Sequence, residues 1–135
     1  MSTRGLYTFK ASTNYEMDWN VYKHHDGYPN GAVVAIEDAT NLAWELPRYE
    51  SDEFSTAFIA ANKAVPGGVR LMPQGRPLEV AEIHCGDIEY RYEISLKKNE
   101  LYIKAFSVRG SGTFDLVDKL IFEGTLKALK ERYPI

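Results

Sequence analysis

The stretch that decides the fold is 88-IEYRYEISLKKNELYIKAFSV-108. Ile88, Tyr90, Tyr92, Ile94 and Leu96 alternate with Glu89, Arg91, Glu93 and Ser95, so an extended chain carries one apolar and one charged face. Lys97-Lys98-Asn99-Glu100 turns the chain, and Leu101 to Val108 returns as the partner strand. Turning to the amino-terminal side, Leu6, Thr8 and Lys10 alternate with Tyr7 and Phe9, which suits a strand. Ser12-Thr13-Asn14 signals a turn, and Met17, Trp19 and Val21 then alternate with polar neighbours, predicting a second strand and a hairpin.

Between these two β regions lie helical patterns. Ala32, Ile36, Ala39, Ala43 and Leu46 share one face of a helix over 32–46, with Asn30 placed to cap it and Pro47 to stop it. A second helix over 52–64 takes Ser51 as its cap and Phe54, Ala57, Phe58 and Ala61 as its core face. Residues 66–77 hold three prolines and three glycines, which predicts an irregular connector with a short strand at residues 69–72. After the 88–108 hairpin, Gly110-Ser111-Gly112 breaks the sheet. A final helix over 115–132 would put Phe122, Leu126, Leu129 and Tyr133 on one face, with Gly124 a point of weakness inside it. The fold class is α+β: a single antiparallel sheet of four or five strands with about three helices packed on one face, in one domain over 1–135. Strand order is not readable from the pattern.

Composition bounds the function. At 135 residues, with 44% hydrophobic and 26% charged, the chain can bury a core of its own. A net charge of −3 supplies no global positive field, which argues against general nucleic-acid binding. No apolar run approaches the ~18 residues of a membrane span, and no secretory signal is visible. Cys85 is the sole cysteine, which fits a reducing, cytoplasmic setting. Nine tyrosines suit half-buried strands and equally suit an interface or ligand cleft.

Candidate chemistry gathers in the first thirty residues. In an extended segment His24 and Asp26 point to one side and His25 to the other, and a histidine beside a carboxylate suits acid–base work. Gly27 and Pro29 around Tyr28 would hold this loop in a defined shape. The plainer reading is a polar turn bonded to its own backbone. Arg4 offers a bidentate grip on phosphate or carboxylate, and Gly5 beside it lets another backbone approach. With Arg70, Arg76, Arg91 and Arg109 it can build an anion pocket; alternatively it pairs with Asp26 or a glutamate. His24, Asp26, His84 and Cys85 have donor chemistry for a metal but no zinc spacing, so neither metal nor cofactor is expected. Gly67-Gly68 lacks the P-loop pattern. If Met1 is removed, Ser2 becomes an N-terminal hydroxyl beside its own amine, a known nucleophile arrangement.

Thr3-Arg4-Gly5 with its aromatic strand, followed by His24-x-Asp26-x-Tyr28-Pro29 and Gly31, resembles a family of small phage, bacterial and fungal proteins. Its members begin with a Thr-Arg-Gly strand and carry a His-x-Asp-Ser-Tyr-Pro loop followed by glycines. The resemblance covers residues 3–32 and brings no settled activity with it. It implies that Arg4, Gly5, His24, Asp26 and Tyr28 lie together, and it suggests a phage or prophage origin. Gly27 stands where the family carries serine, and Ala32 where a longer glycine-containing segment is common, so a role needing the serine hydroxyl does not transfer.

Three functions are compatible with these residues. The leading one is a binding protein, not an enzyme, that holds a small anionic, nucleotide-like ligand or a host protein partner through Arg4, Gly5, His24, Asp26 and Tyr28. One version sequesters a nucleotide signal of host defence. The second is a hydrolase using His24 and Asp26, or Ser2. The third is an assembly protein, a homo-oligomer joined through the tyrosine-rich hairpin.

Overall fold

The computed structural model describes residues 2–110 and 116–134. In chain order the elements are β1 (Gly5–Phe9), β2 (Trp19–Lys23), α1 (Pro29–Thr40), α2 (Ser51–Asn62), β3 (Val69–Met72), α3 (Pro77–Val80), a π turn (Ala81–Cys85), β4 (Tyr90–Lys97), β5 (Glu100–Gly110), β6 (Leu116–Thr125) and α4 (Leu126–Arg132). The architecture is α+β, and the six strands form one sheet in the order β3-β2-β1-β4-β5-β6. The hairpin β4–β5 pairs from Lys97↔Glu100 to Tyr90↔Ser107, as its alternation requires.

The sheet is mixed, which corrects the antiparallel expectation. β1 runs antiparallel to β2 but parallel to β4, with Gly5 opposite Tyr90. β2, α1, α2, β3, α3 and the π turn separate β1 from β4, and a crossover of that length lets the chain re-enter beside β1 in the same direction. The sheet also gains β6, where the 115–132 pattern predicts helix. Leu116–Thr125 instead pairs with β5, slipping by one residue at Ala105/Phe106. The helix starts just past Gly124, with the Thr125 hydroxyl accepting the Ala128 N–H at 3.1 Å. The expected break at Ser111-Gly112 and the helix start at Asp115 lie outside the described residues.

The larger core lies between the sheet and helices α1, α2 and α4. Tyr7, Phe9, Tyr92, Ile94 and Ile103 from the sheet meet Ala32, Ile36 and Ala39 of α1, Phe54 and Phe58 of α2 and Leu129 of α4, all essentially without solvent contact. The small alanines let α1 approach closely, and Tyr7 stacks on Tyr92 at 5.0 Å and tilts on Phe58 at 4.6 Å. A second, smaller core sits on the opposite face, where Leu6, Tyr22, Met72, Ile88 and Val108 lie under Val80, Ala81 and Cys85. Helical cover on both faces therefore replaces the one-sided packing expected. This second cover is the segment 77–85, which follows the proline-rich connector and carries too little periodicity to be read as helix.

Boundaries shift for local reasons. Tyr28, not Asn30, occupies the N-cap of α1, with Pro29 in its first turn, while the Asn30 side chain accepts the Gly31 N–H at 3.1 Å. α1 ends at Thr40, whose hydroxyl bonds the Glu37 carbonyl at 2.6 Å. Ser51 begins α2 and donates its hydroxyl to the Met17 carbonyl at 2.5 Å rather than capping the helix.

Candidate functional site

β1 and β2 end together at one rim of the sheet, and the register places the functional side chains. Leu6 faces Tyr22, Tyr22 faces Arg70 of β3, and Gly5 faces Lys23. One residue beyond that last pair stand Arg4 and His24. Their backbones are fixed by neighbours: the Arg4 carbonyl accepts the Glu89 N–H at 3.0 Å, and the His24 N–H donates to the Gly68 carbonyl at 2.9 Å. Because side chains two residues apart share a strand face, Tyr22 and His24 lie on the side away from α1 and α2.

The side chains interlock at this rim. The Tyr22 hydroxyl and His24 Nδ1 lie 2.6 Å apart, and the Arg70 guanidinium rests over the Tyr22 ring at 4.9 Å. Arg4 Nη1 donates to the Asp87 carboxylate at 2.9 Å, while Arg4 Nε is buried and has no hydrogen-bond partner among the described residues. The guanidinium is thus positioned by packing as well as by its own bonds, which is unusual enough in a native structure to call for a reason. The His25 ring meets His24 edge-on at 4.7 Å, and its Nδ1 lies 3.0 Å from Ser2 Oγ.

The electrostatics of the rim are positive. His24 sits below the ordinary histidine value through burial first, then through Arg4, His25 and Arg70. Burial raises the Tyr22 phenol, with Arg4 and Arg70 opposing it. Burial lifts the Cys85 thiol to about 11, again opposed by Arg70, which leaves little thiolate near neutral pH. Cys85 closes the π turn, a backbone irregularity often found beside functional sites.

Asp26 and Tyr28 do not join this group. Asp26 takes a left-handed conformation, φ 56°, so the loop is not extended and the expected His24–Asp26 pair does not form. His24 has the Tyr22 hydroxyl on Nδ1, and Asp26 accepts the Tyr28 hydroxyl at 3.1 Å. Asp26 and Tyr28 instead line a cleft of about 380 Å³ beside α1, together with Lys23, Asn30, Asp38 and Asn62. Lys23 donates to the His25 carbonyl at 2.6 Å, and burial lowers its ammonium against the pull of Asp26. One short loop therefore serves both faces of the sheet.

Glycine makes this division sterically feasible. The Gly27 N–H donates to the Thr3 carbonyl at 2.8 Å, and its carbonyl accepts the buried Tyr92 hydroxyl at 2.6 Å. A Cβ at residue 27 would stand 2.7 Å from the Gly5 nitrogen and 2.8 Å from the Arg4 carbonyl carbon. The role inferred for Gly5 is thereby given a concrete form: it is the surface against which the loop lies.

Of the five residues read as a site, Arg4, Gly5 and His24 come together, and Asp26 and Tyr28 face the other way. Among the other arginines Arg70 joins Arg4. Arg76 pairs with Glu79, and Arg91 is enclosed by Glu93 and Asp118 beneath Phe106. Arg109 lies along β5 opposite Val117. Among the described residues no three His, Cys, Asp or Glu side chains converge as a metal site, so His24, Asp26, His84 and Cys85 do not form one. Among them also, no helix is long and apolar enough to cross a membrane. Sequence reading missed Tyr22 and Asp87; Tyr22 was accessible, since it precedes His24 by two in a strand, whereas nothing marks Asp87. Comparison with protein-family models, curated proteins and solved structures finds no match for this chain.

Proposed function

We propose that the chain is a binding protein for a small anionic ligand, held at the sheet rim by Arg4, Arg70 and His24. The observation that carries this reading is the convergence of these three groups from three chain segments, with exposed Asp87 as the carboxylate paired to Arg4. Arginine suits the task because its planar fork stays charged and matches phosphate or carboxylate oxygens. A nucleotide fits the description, and so does the reading of a phage-borne protein that withdraws a nucleotide signal from host defence. That reading rests on the Thr-Arg-Gly and His-x-Asp-x-Tyr-Pro resemblance. Thermal-shift screening against nucleotides tests it: a ligand raises the melting temperature of the wild type and leaves Arg4→Ala unmoved. If no anion stabilises the wild type, the proposal fails.

A second reading, hydrolysis, is favoured by the contact of Ser2 Oγ with His25 Nδ1 at 3.0 Å. It draws on His25 rather than on the His24–Asp26 pair, and lets the imidazole take the hydroxyl proton. Labelling by a fluorophosphonate probe, lost in Ser2→Ala and His25→Gln, is the expected result. An unlabelled wild type excludes this reading.

A further inference from the structure

We infer that the rim takes a tetrahedral dianion, the terminal phosphate of a phosphomonoester or free phosphate, and that His24 takes up a proton as the anion binds. The inference rests on the reading of this rim as an anion site, and it goes on to specify the charge, shape and proton stoichiometry of the ligand.

The geometry argues for shape first. Arg4 reaches the rim from the residue before β1, Arg70 from β3, and His24 from the residue after β2. Donors arriving from three backbone segments suit a group with oxygens in three directions, whereas a planar carboxylate is satisfied by one guanidinium fork. His24 Nδ1 lies 2.6 Å from the Tyr22 hydroxyl, which can donate to it or accept from it, so either neutral tautomer fits the contact and a second proton converts the ring to a cation.

Charge comes next. The groups acting on His24 and its Tyr22 partner are Arg4, His25 and Arg70, with Cys85 and Asp87 behind Tyr22. Arg4, Arg70 and protonated His25 all disfavour a further positive charge on His24. Asp87 is already engaged with Arg4 at 2.9 Å and leaves that balance positive. A bound dianion reverses the sign of the local field, so it favours the imidazolium that the empty rim resists. Linkage makes the effect reciprocal: if the anion promotes protonation, protonation strengthens the anion's binding.

Sulfate is the diagnostic probe, because it stays doubly charged from pH 5.5 to 7.5 and any pH dependence then belongs to the protein. Titrated into the wild type, sulfate should bind about tenfold more tightly at pH 5.5 than at 7.5, and should move the NMR titration midpoint of His24 upward. His24→Gln should bind at both pH values with a flat profile, His25→Gln should keep the slope, and Arg4→Ala should lose binding at both. At pH 7.5, AMP binding more tightly than inorganic phosphate supports a phosphomonoester ligand, and equal binding supports the free anion. Sulfate binding equally at both pH values, with the His24 midpoint unmoved, overturns proton uptake while the anion site stands. A slope that survives His24→Gln and vanishes in His25→Gln also overturns it. Absence of sulfate binding at either pH overturns both the inference and the anion reading beneath it.

Discussion

Replacing Gly27 by serine or alanine should be among the most damaging single changes in the amino-terminal third of the chain. The new Cβ would stand 2.7 Å from the Gly5 nitrogen, 2.8 Å from the Arg4 carbonyl carbon and 3.0 Å from the Thr3 oxygen, all of them backbone atoms. Backbone cannot rotate aside as a side chain can, and Gly5 sits in a strand paired on both sides. If the chain absorbs the contact in place, overpacking costs about 1–3 kcal/mol. If the loop lifts away instead, the Gly27–Thr3 bond at 2.8 Å breaks and the Tyr92 hydroxyl loses its acceptor. Stranding a buried hydroxyl costs roughly 1–3 kcal/mol, on top of about 1 kcal/mol for the broken backbone bond. The expected loss is therefore about 3 kcal/mol. With an unfolding entropy of about 2.1 cal/mol/K per residue, this lowers the melting temperature of a 135-residue chain by about 10 °C. Thermal and urea melts followed by circular dichroism measure it. Gly67→Ala is the control: Gly67 has φ +74° and open space around its Cβ position, so it should lose about 1 kcal/mol from conformation alone. A Gly27→Ser protein melting within a degree or so of the wild type would refute the steric argument.

Two further outcomes follow from buried polar groups. Burial raises the phenols of Tyr7, Tyr49 and Tyr92 above their ordinary value, so the folded state holds protons that the unfolded chain releases. That contribution to stability is intact below about pH 10 and lost above it, so the urea midpoint should be similar at pH 8 and 9 and clearly lower at pH 11; an unchanged midpoint at pH 11 contradicts it. Asn20 is fully buried, accepting the Thr8 hydroxyl at 2.6 Å and donating to the Pro73 and Gly75 carbonyls. Asn20→Ala should destabilise by about 2–4 kcal/mol and speed hydrogen exchange in β3, and a variant matching the wild type in both would show that solvent replaces these bonds without loss.

The hairpin was legible because its signal is local: Tyr92 and Ile94 point into the core while Arg91 and Glu93 pair with each other on the far face. The edge strand β6 was not, because Phe122, Leu126, Leu129 and Tyr133 mimic helical spacing across a strand-to-helix junction. Phe122 and Tyr133 do meet, ring to ring at 6.4 Å, but from two different elements. Pairing with β5 outweighs the local preference there. The parallel contact of β1 with β4 leaves no mark in either strand, since it depends on where a distant segment returns. In the site, residue types were readable and directions were not. The left-handed backbone of Asp26 itself turns its side chain away from His24, and no pattern in the short loop between β2 and α1 reveals such a turn.

The central place of β1 also governs the order in which the molecule can assemble. Gly5 to Phe9 leave the ribosome well before Tyr90 to Ile94, yet they are their lateral neighbours. Until those residues emerge, β1 has β2 on one side and an open backbone on the other, and Tyr7 lacks the ring it stacks upon. Contacts so far apart in sequence slow folding and prolong exposure of an unpaired apolar strand. A nascent chain arrested before β4 should therefore depend on chaperones and expose its amino-terminal segment to proteases, whereas the finished protein shields it between two strands.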